Sequence, residues 1–444
     1  MLNLAFVILF FTIPVIILMI LHRAGVHLSR FSIVSLVMSF MFLQAYVGLF
    51  SLYFGLDSYR FFGNGIQDRA IVFRVFAFSA WSMLAMSVGV LVTQRVLKAS
   101  TISNRITSYR TLFPIETYLV LFLGILSAAV FFLYLTKVPE IALFRSFGGT
   151  VSEVQIARSN MGNSFEGKVH WYRLFMHDGL FLCSFIIFAN YLVTKKKTIF
   201  RLLLVVLIFM LAIFSAAAST EKGPIINYLV GLFLVFTVIK NHGKFSIKSI
   251  VFAGLGVVFL IPNLFVLFAG SSDYFSAFQL FFSRVVTGQI SPAYWYLEMF
   301  PHVHDYLWGS SFPNPAGLLP FEPFNLTVEI SNWKNPELAK LGIIGSAPTV
   351  YWAELYANFG TTGVIVIPFI VGGLLYIVQS LIDRLENSPL KIAFVVWLAL
   401  HFRLLAGSSI SNYFVDNVMM AMLFIILAVH LISRRGVLKL SMAQ

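Results

Sequence analysis

Residues Lys195–Lys248 read KKKTIFRLLLVVLIFMLAIFSAAASTEKGPIINYLVGLFLVFTVIKNHGKFSIK. The apolar runs at 199–217 and 224–239 are each close to the ~20 residues that carry a helix across a hydrocarbon core about 30 Å thick. Lys195, Lys196, Lys197 and Arg201 stand before the pair, and Lys240, Lys244 and Lys248 after it. Ser219-Thr220-Glu221-Lys222-Gly223-Pro224 is a tight turn between them. Short basic loops favour the cytoplasmic side, so this stretch reads as a transmembrane helical hairpin whose turn faces outward.

The same alternation continues in both directions. Spans are expected at 3–21, 31–56, 70–94, 113–136, 171–194, 199–217, 224–239, 249–269, 360–382, 391–408 and 413–432. His22, Arg23 and Arg30 form one inner loop, and Arg95, Lys98, Arg105 and Arg110 the next. Arg384 with Lys391, and then Arg434, Arg435 and Lys439, complete the basic side. The expectation is an all-α integral membrane protein of about eleven transmembrane helices, N-terminus outside and C-terminus in the cytoplasm. The first run lacks a basic leading segment and a small-residue cleavage site, so it reads as a retained helix.

Composition agrees. With 59% hydrophobic and 11% charged residues and a mean hydropathy of +0.88, an ordinary soluble domain is excluded. The net charge of +13 is read as orienting charge facing cytoplasm and anionic lipid, not as a nucleic-acid surface. Cys183, alone of its kind, excludes an intrachain disulfide framework and a cysteine metal site.

Three regions follow: 1–269 with eight helices and an outer loop at 137–170; 270–348, a large periplasmic loop; and 349–444, an outer helical segment and three more spans. Phe312-Pro313-Asn314-Pro315-Ala316-Gly317 and the run Pro320 to Pro323 are turn chemistry. Tyr274 to Phe282 and Tyr294 to Phe300 read as short amphipathic segments at the interface. Loops this long are usually functional. No repeat links two halves of the chain, which counts against a carrier.

Ionisable groups beside apolar helices are functional candidates by default. On the expected outer side these are Arg158, then Arg173, His177 and Asp178 opening the fifth span, Lys222, Arg284, and His401 with Arg403 near the end of the tenth span. Each has a plain alternative: Arg173 snorkelling to headgroups, Lys222 paired with Glu221, Arg158 solvated. Arg403 lies about a dozen residues past Lys391, ~18 Å along a helix, so it faces a cavity or holds an anionic partner. Arginines and lysines converging on one face suit a pyrophosphate-linked substrate, whose oxygens accept guanidinium forks and whose departure positive charge assists.

Pro348 is a plausible first-turn residue of a segment helical to Gly360. Tyr351, Glu354 and Asn358 share one face of it, a set suited to binding sugar or to a general base. The alternative is Glu354 as a salt-bridge partner of Arg284 or Arg403. Asp305, Glu322 and Glu329 read as surface charge. His302 and His304 have no further ligand at suitable spacing, so no metal site is expected, and no phosphate-cradling loop or nucleophile elbow occurs.

Ala347-Pro348 through Glu354, Tyr356, Asn358-Phe359-Gly360 and Gly363, with Thr220-Glu221-Lys222-Gly223-Pro224 as the short outer turn, resemble the bacterial oligosaccharide repeat-unit polymerases, or O-antigen polymerases. The resemblance implies a membrane-embedded, inverting glycosyltransferase of the type C class in the bacterial inner membrane. It would use no cofactor and no nucleotide sugar. Its partners would be an undecaprenyl-pyrophosphate-linked glycan donor, an acceptor repeat unit on the same lipid, membrane lipid and a chain-length regulator. Arg158, Lys222, Arg284 and Arg403 would then meet pyrophosphate, with Arg173 and His401 as second choices, while Glu354 positions or deprotonates the acceptor hydroxyl. Two competitors stay open. A ligase-like enzyme would rely more on His302 and His304, and a lipid-linked oligosaccharide flippase would string charge through the membrane midplane.

Overall fold

The computed structural model describes residues 2–97, 109–162, 165, 167, 169–248, 274–314, 317–340, 345–411 and 418–426, with scattered single residues at 251–263 and at 428. Among the described residues the secondary structure is helical throughout, and nine helices are long and apolar enough to cross a membrane. The chain is an all-α, multi-pass membrane protein. Most of the span expected at 249–269 and half of that expected at 413–432 lie outside the described residues. The other nine match Asn3–Arg23, Ile33–Tyr53, Arg69–Val96, Pro114–Lys137, Val169–Val193, Ile199–Ala217, Lys222–Lys240, Tyr351–Asp383 and Pro389–Ala406.

Two compact units are interleaved along the sequence. The first comprises Met1–Ser103, Gln279–Arg384 and His401–Asp416; the second comprises Asn104–Phe278, Leu385–Leu400 and Asn417–Gln444.

The first unit is centred on the Arg69–Val96 helix against the Tyr351–Asp383 helix. Glycines set how near their backbones come. A Cβ on Gly89 would lie 2.0 Å from the Phe369 carbonyl oxygen, and one on Gly372 2.0 Å from that of Met86. Small residues permit this approach where lipid supplies no hydrophobic drive for helix pairing. Trp352 is fully buried and donates its indole N–H to Ser79 Oγ at 3.1 Å. The expected single span 31–56 is two helices, Ile33–Ala45 and Gly48–Tyr53. Gly48 sits against the Val286 backbone, where a Cβ would meet the carbonyl oxygen at 2.1 Å, and Tyr46 donates its hydroxyl to Phe10 O at 3.0 Å.

The Tyr351–Asp383 helix breaks at Gly360, whose φ of +63° is the left-handed region that glycine enters without steric penalty. The Tyr306 ring fills the adjoining space, 3.0 Å from where a Cβ would stand. The expected boundary at Gly360 is therefore a kink between two helical segments.

The second unit contains the Pro114–Leu135, Ile199–Ala217 and Lys222–Lys240 helices and one composite span. In the composite, Val169–Arg173 passes through a π-helical turn at Leu174–Gly179 into Leu180–Val193. Gly179 abuts Ser127, and Ser215 donates to the Met176 carbonyl at 2.8 Å inside the turn. At the start of Pro114–Leu135, the fully buried Glu116 carboxylate takes both arms of Arg110, at 2.6 and 2.7 Å. Arg110 also pairs with Glu386 at 3.0 Å and lies over the Phe113 ring. The sequence marks Arg110 as orienting charge; here it also anchors a helix.

Candidate functional site

In the first unit, Glu354 lies one turn into the Tyr351–Asp383 helix and is 3% exposed. Its partners are neutral. Oε1 accepts from the Ser311 hydroxyl at 2.9 Å and the Ser411 hydroxyl at 2.7 Å, and Oε2 accepts from the Ser411 amide at 3.1 Å. Asn358, one turn on and fully buried, donates to Ser311 Oγ at 2.7 Å and to the Glu354 carbonyl at 2.8 Å. Its amide oxygen accepts from Gly309 N at 2.8 Å. Leu307 N and Trp308 N reach the Ala357 and Asn358 carbonyls, both at 3.0 Å. Helix and loop thus hold each other through one polar cluster.

This arrangement bears on two of the residues read from the sequence. Glu354 is no salt-bridge partner of Arg284 or Arg403, since its donors are hydroxyls and an amide. Tyr351, at the start of the same helix, is fully buried, and its hydroxyl makes no hydrogen bond among the described residues.

Arg403 follows the Pro389–Phe402 helix in a 3-10 turn, 7% exposed, with its guanidinium 4.9 Å from the centre of the Phe40 ring. A cation over an aromatic face is a favourable setting away from bulk water. His401, two residues earlier, is 9% exposed. Arg284 is exposed near the end of the Tyr274–Val286 helix. The Ser283 and Thr287 hydroxyls beside it both donate to Asp57 Oδ2, at 2.8 and 2.6 Å. Asp57 belongs to the 54–68 connection, as does Arg60, which is 8% exposed. Burial pulls Arg60 below the ordinary guanidinium range; Asp57 opposes this and Arg284 adds to it.

An open cleft of about 540 Å³ in the same unit is lined by Asp68, Arg74, Leu297, Glu298, His302 and Trp333, among others. Asp68 caps the Arg69–Val96 helix through Oδ1, bound by Ala70 N at 2.7 Å. Arg74 donates to the Tyr356 hydroxyl at 3.0 Å. Burial, reinforced by Asp68 and opposed by Lys334 and Tyr294, holds the Glu298 carboxyl above the usual carboxylate range. Carboxylates, a guanidinium and an indole together can grip hydroxyls and stack on a sugar ring.

In the second unit, Arg173 pairs with Glu221 at 3.4 Å. Glu221 therefore has a partner other than the Lys222 expected. The Arg173 guanidinium lies beside the end of the Val151–Asn160 helix, near the Arg158 carbonyl and Gly162, where cations favour a helix terminus. Arg158 itself is exposed. Lys222 is the first residue of the Lys222–Lys240 helix. Within the composite span, Asp178 accepts from Trp397 Nε1 at 2.9 Å and His177 stacks on Phe181.

The nine expected site residues thus divide between the units. Arg284, Tyr351, Glu354, Asn358, His401 and Arg403 belong to the first, and Arg158, Arg173 and Lys222 to the second. Sequence reasoning missed Ser311, Ser411, Asp57, Arg60 and Arg74. Asp57 and Arg60 were findable as ionisable groups in the connection between two spans. The serines carry no sequence signal. Among the described residues no cluster of three or more His, Cys, Asp or Glu could hold a metal. Compared with known proteins, the chain matches no family model, no curated protein and no solved structure.

Proposed function

We propose that this protein polymerises undecaprenyl-pyrophosphate-linked oligosaccharide repeat units, as an inverting, eleven-span glycosyltransferase of the type C class in the bacterial inner membrane. Its N-terminus is periplasmic, its C-terminus cytoplasmic, and its site opens to the periplasm. The acceptor's terminal hydroxyl attacks the donor's anomeric carbon; the new C–O bond forms as the bond to pyrophosphate breaks. The leaving lipid pyrophosphate carries the released negative charge, which arginines stabilise. The hydroxyl proton passes to Glu354.

The observation that carries this reading is the set of partners around Glu354. A buried carboxylate held by two seryl hydroxyls and an amide is chemically ready to take another hydroxyl in exchange for one of them. Arg284 and Arg403 in the same unit supply positive charge, and the Asp68–Glu298–Trp333 cleft supplies sugar-binding chemistry. An apolar groove of about 440 Å³ lined by Trp81, Leu84, Val88, Ile365 and Phe369 suits a prenyl chain.

The test is complementation of a strain lacking this gene, with surface polysaccharide resolved as a gel ladder. Wild type restores the ladder; Glu354→Gln, Arg284→Ala and Arg403→Ala lose it while single repeat units still reach the surface. Repeat units retained inside the deletion strain would instead identify a flippase. Polymer left on its carrier lipid would identify a ligase, a reading that gains from His302 lining the cleft.

A further inference from the structure

Arg60 is a buried cation whose guanidinium no carboxylate grips among the described residues. It is 8% exposed, its Nε has no hydrogen-bond partner, and no ion pair involves it among the described residues. Its guanidinium carbon lies 5.1 Å from the centre of the neighbouring Tyr59 ring. Asp57 is near in sequence, yet it is occupied elsewhere. Oδ1 accepts from the Arg60 backbone amide at 3.2 Å, and Oδ2 takes Ser283 and Thr287. That carboxylate spends its oxygens fixing the Arg60 turn against the helix that bears Arg284.

A buried guanidinium and an exposed one, on two elements joined by a carboxylate that grips neither, leave a site that an anion would complete. Buried charge without a partner is strongly unfavourable, and guanidinium forks match phosphate oxygens in two-point geometry. We infer that Arg60 and Arg284 form a diphosphate-binding site, with Arg60 as the buried prong, Arg284 as the exposed one and Asp57 as the residue positioning both. The proposal deepens the polymerase reading and rests on it only for the origin of the diphosphate. A phosphodiester headgroup offers the same oxygens.

The test uses the full chain in nanodiscs of phosphatidylcholine, titrated with inorganic pyrophosphate by calorimetry. Wild type binds; Arg60→Gln and Arg284→Gln each weaken binding about tenfold or more, the scale of a charge-assisted hydrogen bond. Arg60→Lys recovers part of the loss, which separates charge from misfolding, and Arg95→Gln, an exposed basic site elsewhere in the unit, binds as wild type. A second arm measures phosphatidylglycerol retained by the same variants in native mass spectrometry. Arg60-dependent retention without pyrophosphate binding makes the occupant a lipid headgroup and keeps the anion site. If neither probe depends on Arg60, the proposal is overturned. Arg60-dependent pyrophosphate binding with an unchanged ladder in the deletion strain removes the polymerase reading and leaves this site standing.

Discussion

The hydroxyl of Ser311 stands 2.9 Å from Oε1 of Glu354, joining positions 43 residues apart. Asn358 donates to the same hydroxyl, so a loop and a membrane helix are fastened by one seryl oxygen between a carboxylate and an amide. Asn358→Ala removes three hydrogen bonds from this fastening. Buried polar groups left unpaired cost about 1–3 kcal/mol each. The expected outcome is faster limited proteolysis near the exposed Trp308, with the helix content unchanged by circular dichroism.

Arg110 and Glu116 form the most buried ion pair among the described residues, at 18% and 0% side-chain exposure. Breaking such a pair from one side typically costs about 3–5 kcal/mol, whereas replacing both partners by apolar residues is often neutral. Arg110→Met should therefore lower the thermal midpoint of the detergent-solubilised protein sharply. Arg110→Met with Glu116→Leu should recover most of the loss. Equal midpoints for single and double variants would refute the assigned role.

Glu298 gives a pH dependence with a definite sign. Burial raises its carboxyl above the usual carboxylate range, so the folded state favours the protonated form. The associated stability is complete below the unfolded carboxyl's pKa and is lost as pH rises through the folded one. Wild type should thus gain stability on acidification across that interval relative to Glu298→Gln. The variant should be no less stable than wild type at neutral pH. Thermal melts of both proteins across the carboxylate range decide it.

Glycine substitution discriminates the helix crossing from ordinary packing. Gly89→Ala drives a methyl into the Phe369 carbonyl, and overpacking of this kind costs about 1–3 kcal/mol or more. Gly63→Ala meets nothing within 4 Å and should melt as wild type. A Gly89→Ala midpoint equal to that of Gly63→Ala would show that the crossing relaxes freely.

Much of this architecture is legible in the sequence because hydrocarbon thickness fixes span length and hydropathy records it. Asn3–Arg23 and Ile199–Ala217 are examples. Gly360 was readable as a boundary, since it ends a helical segment opened after Pro348. The break between Ala45 and Gly48 was not, since the contact of Gly48 with the Val286 backbone is a long-range one that no local pattern encodes. The site divides in the same way. Glu354 and Arg403 stand out because charge is rare in apolar helices. Ser311 and Ser411 are ordinary residues until folding places them on a carboxylate. Arg110 looked like one more topogenic cation, and only its geometry on Glu116 gives it a structural task.

The helix crossing also sets an order of events during synthesis. Trp81 donates its indole N–H to the carbonyl of Ile365, 284 residues further on, and the glycine contacts join the same two helices. At about 5–20 residues per second, a ribosome needs on the order of 15–60 s to bridge that interval. Throughout it, the glycine face of the early helix lies in lipid with its mate unmade, while the segments of the second unit emerge. The protein therefore finishes its first unit late. A nascent chain truncated before Ile365 should contain an Arg69–Val96 helix packed on the N-terminal helices through Phe76 but with its glycine face unmatched.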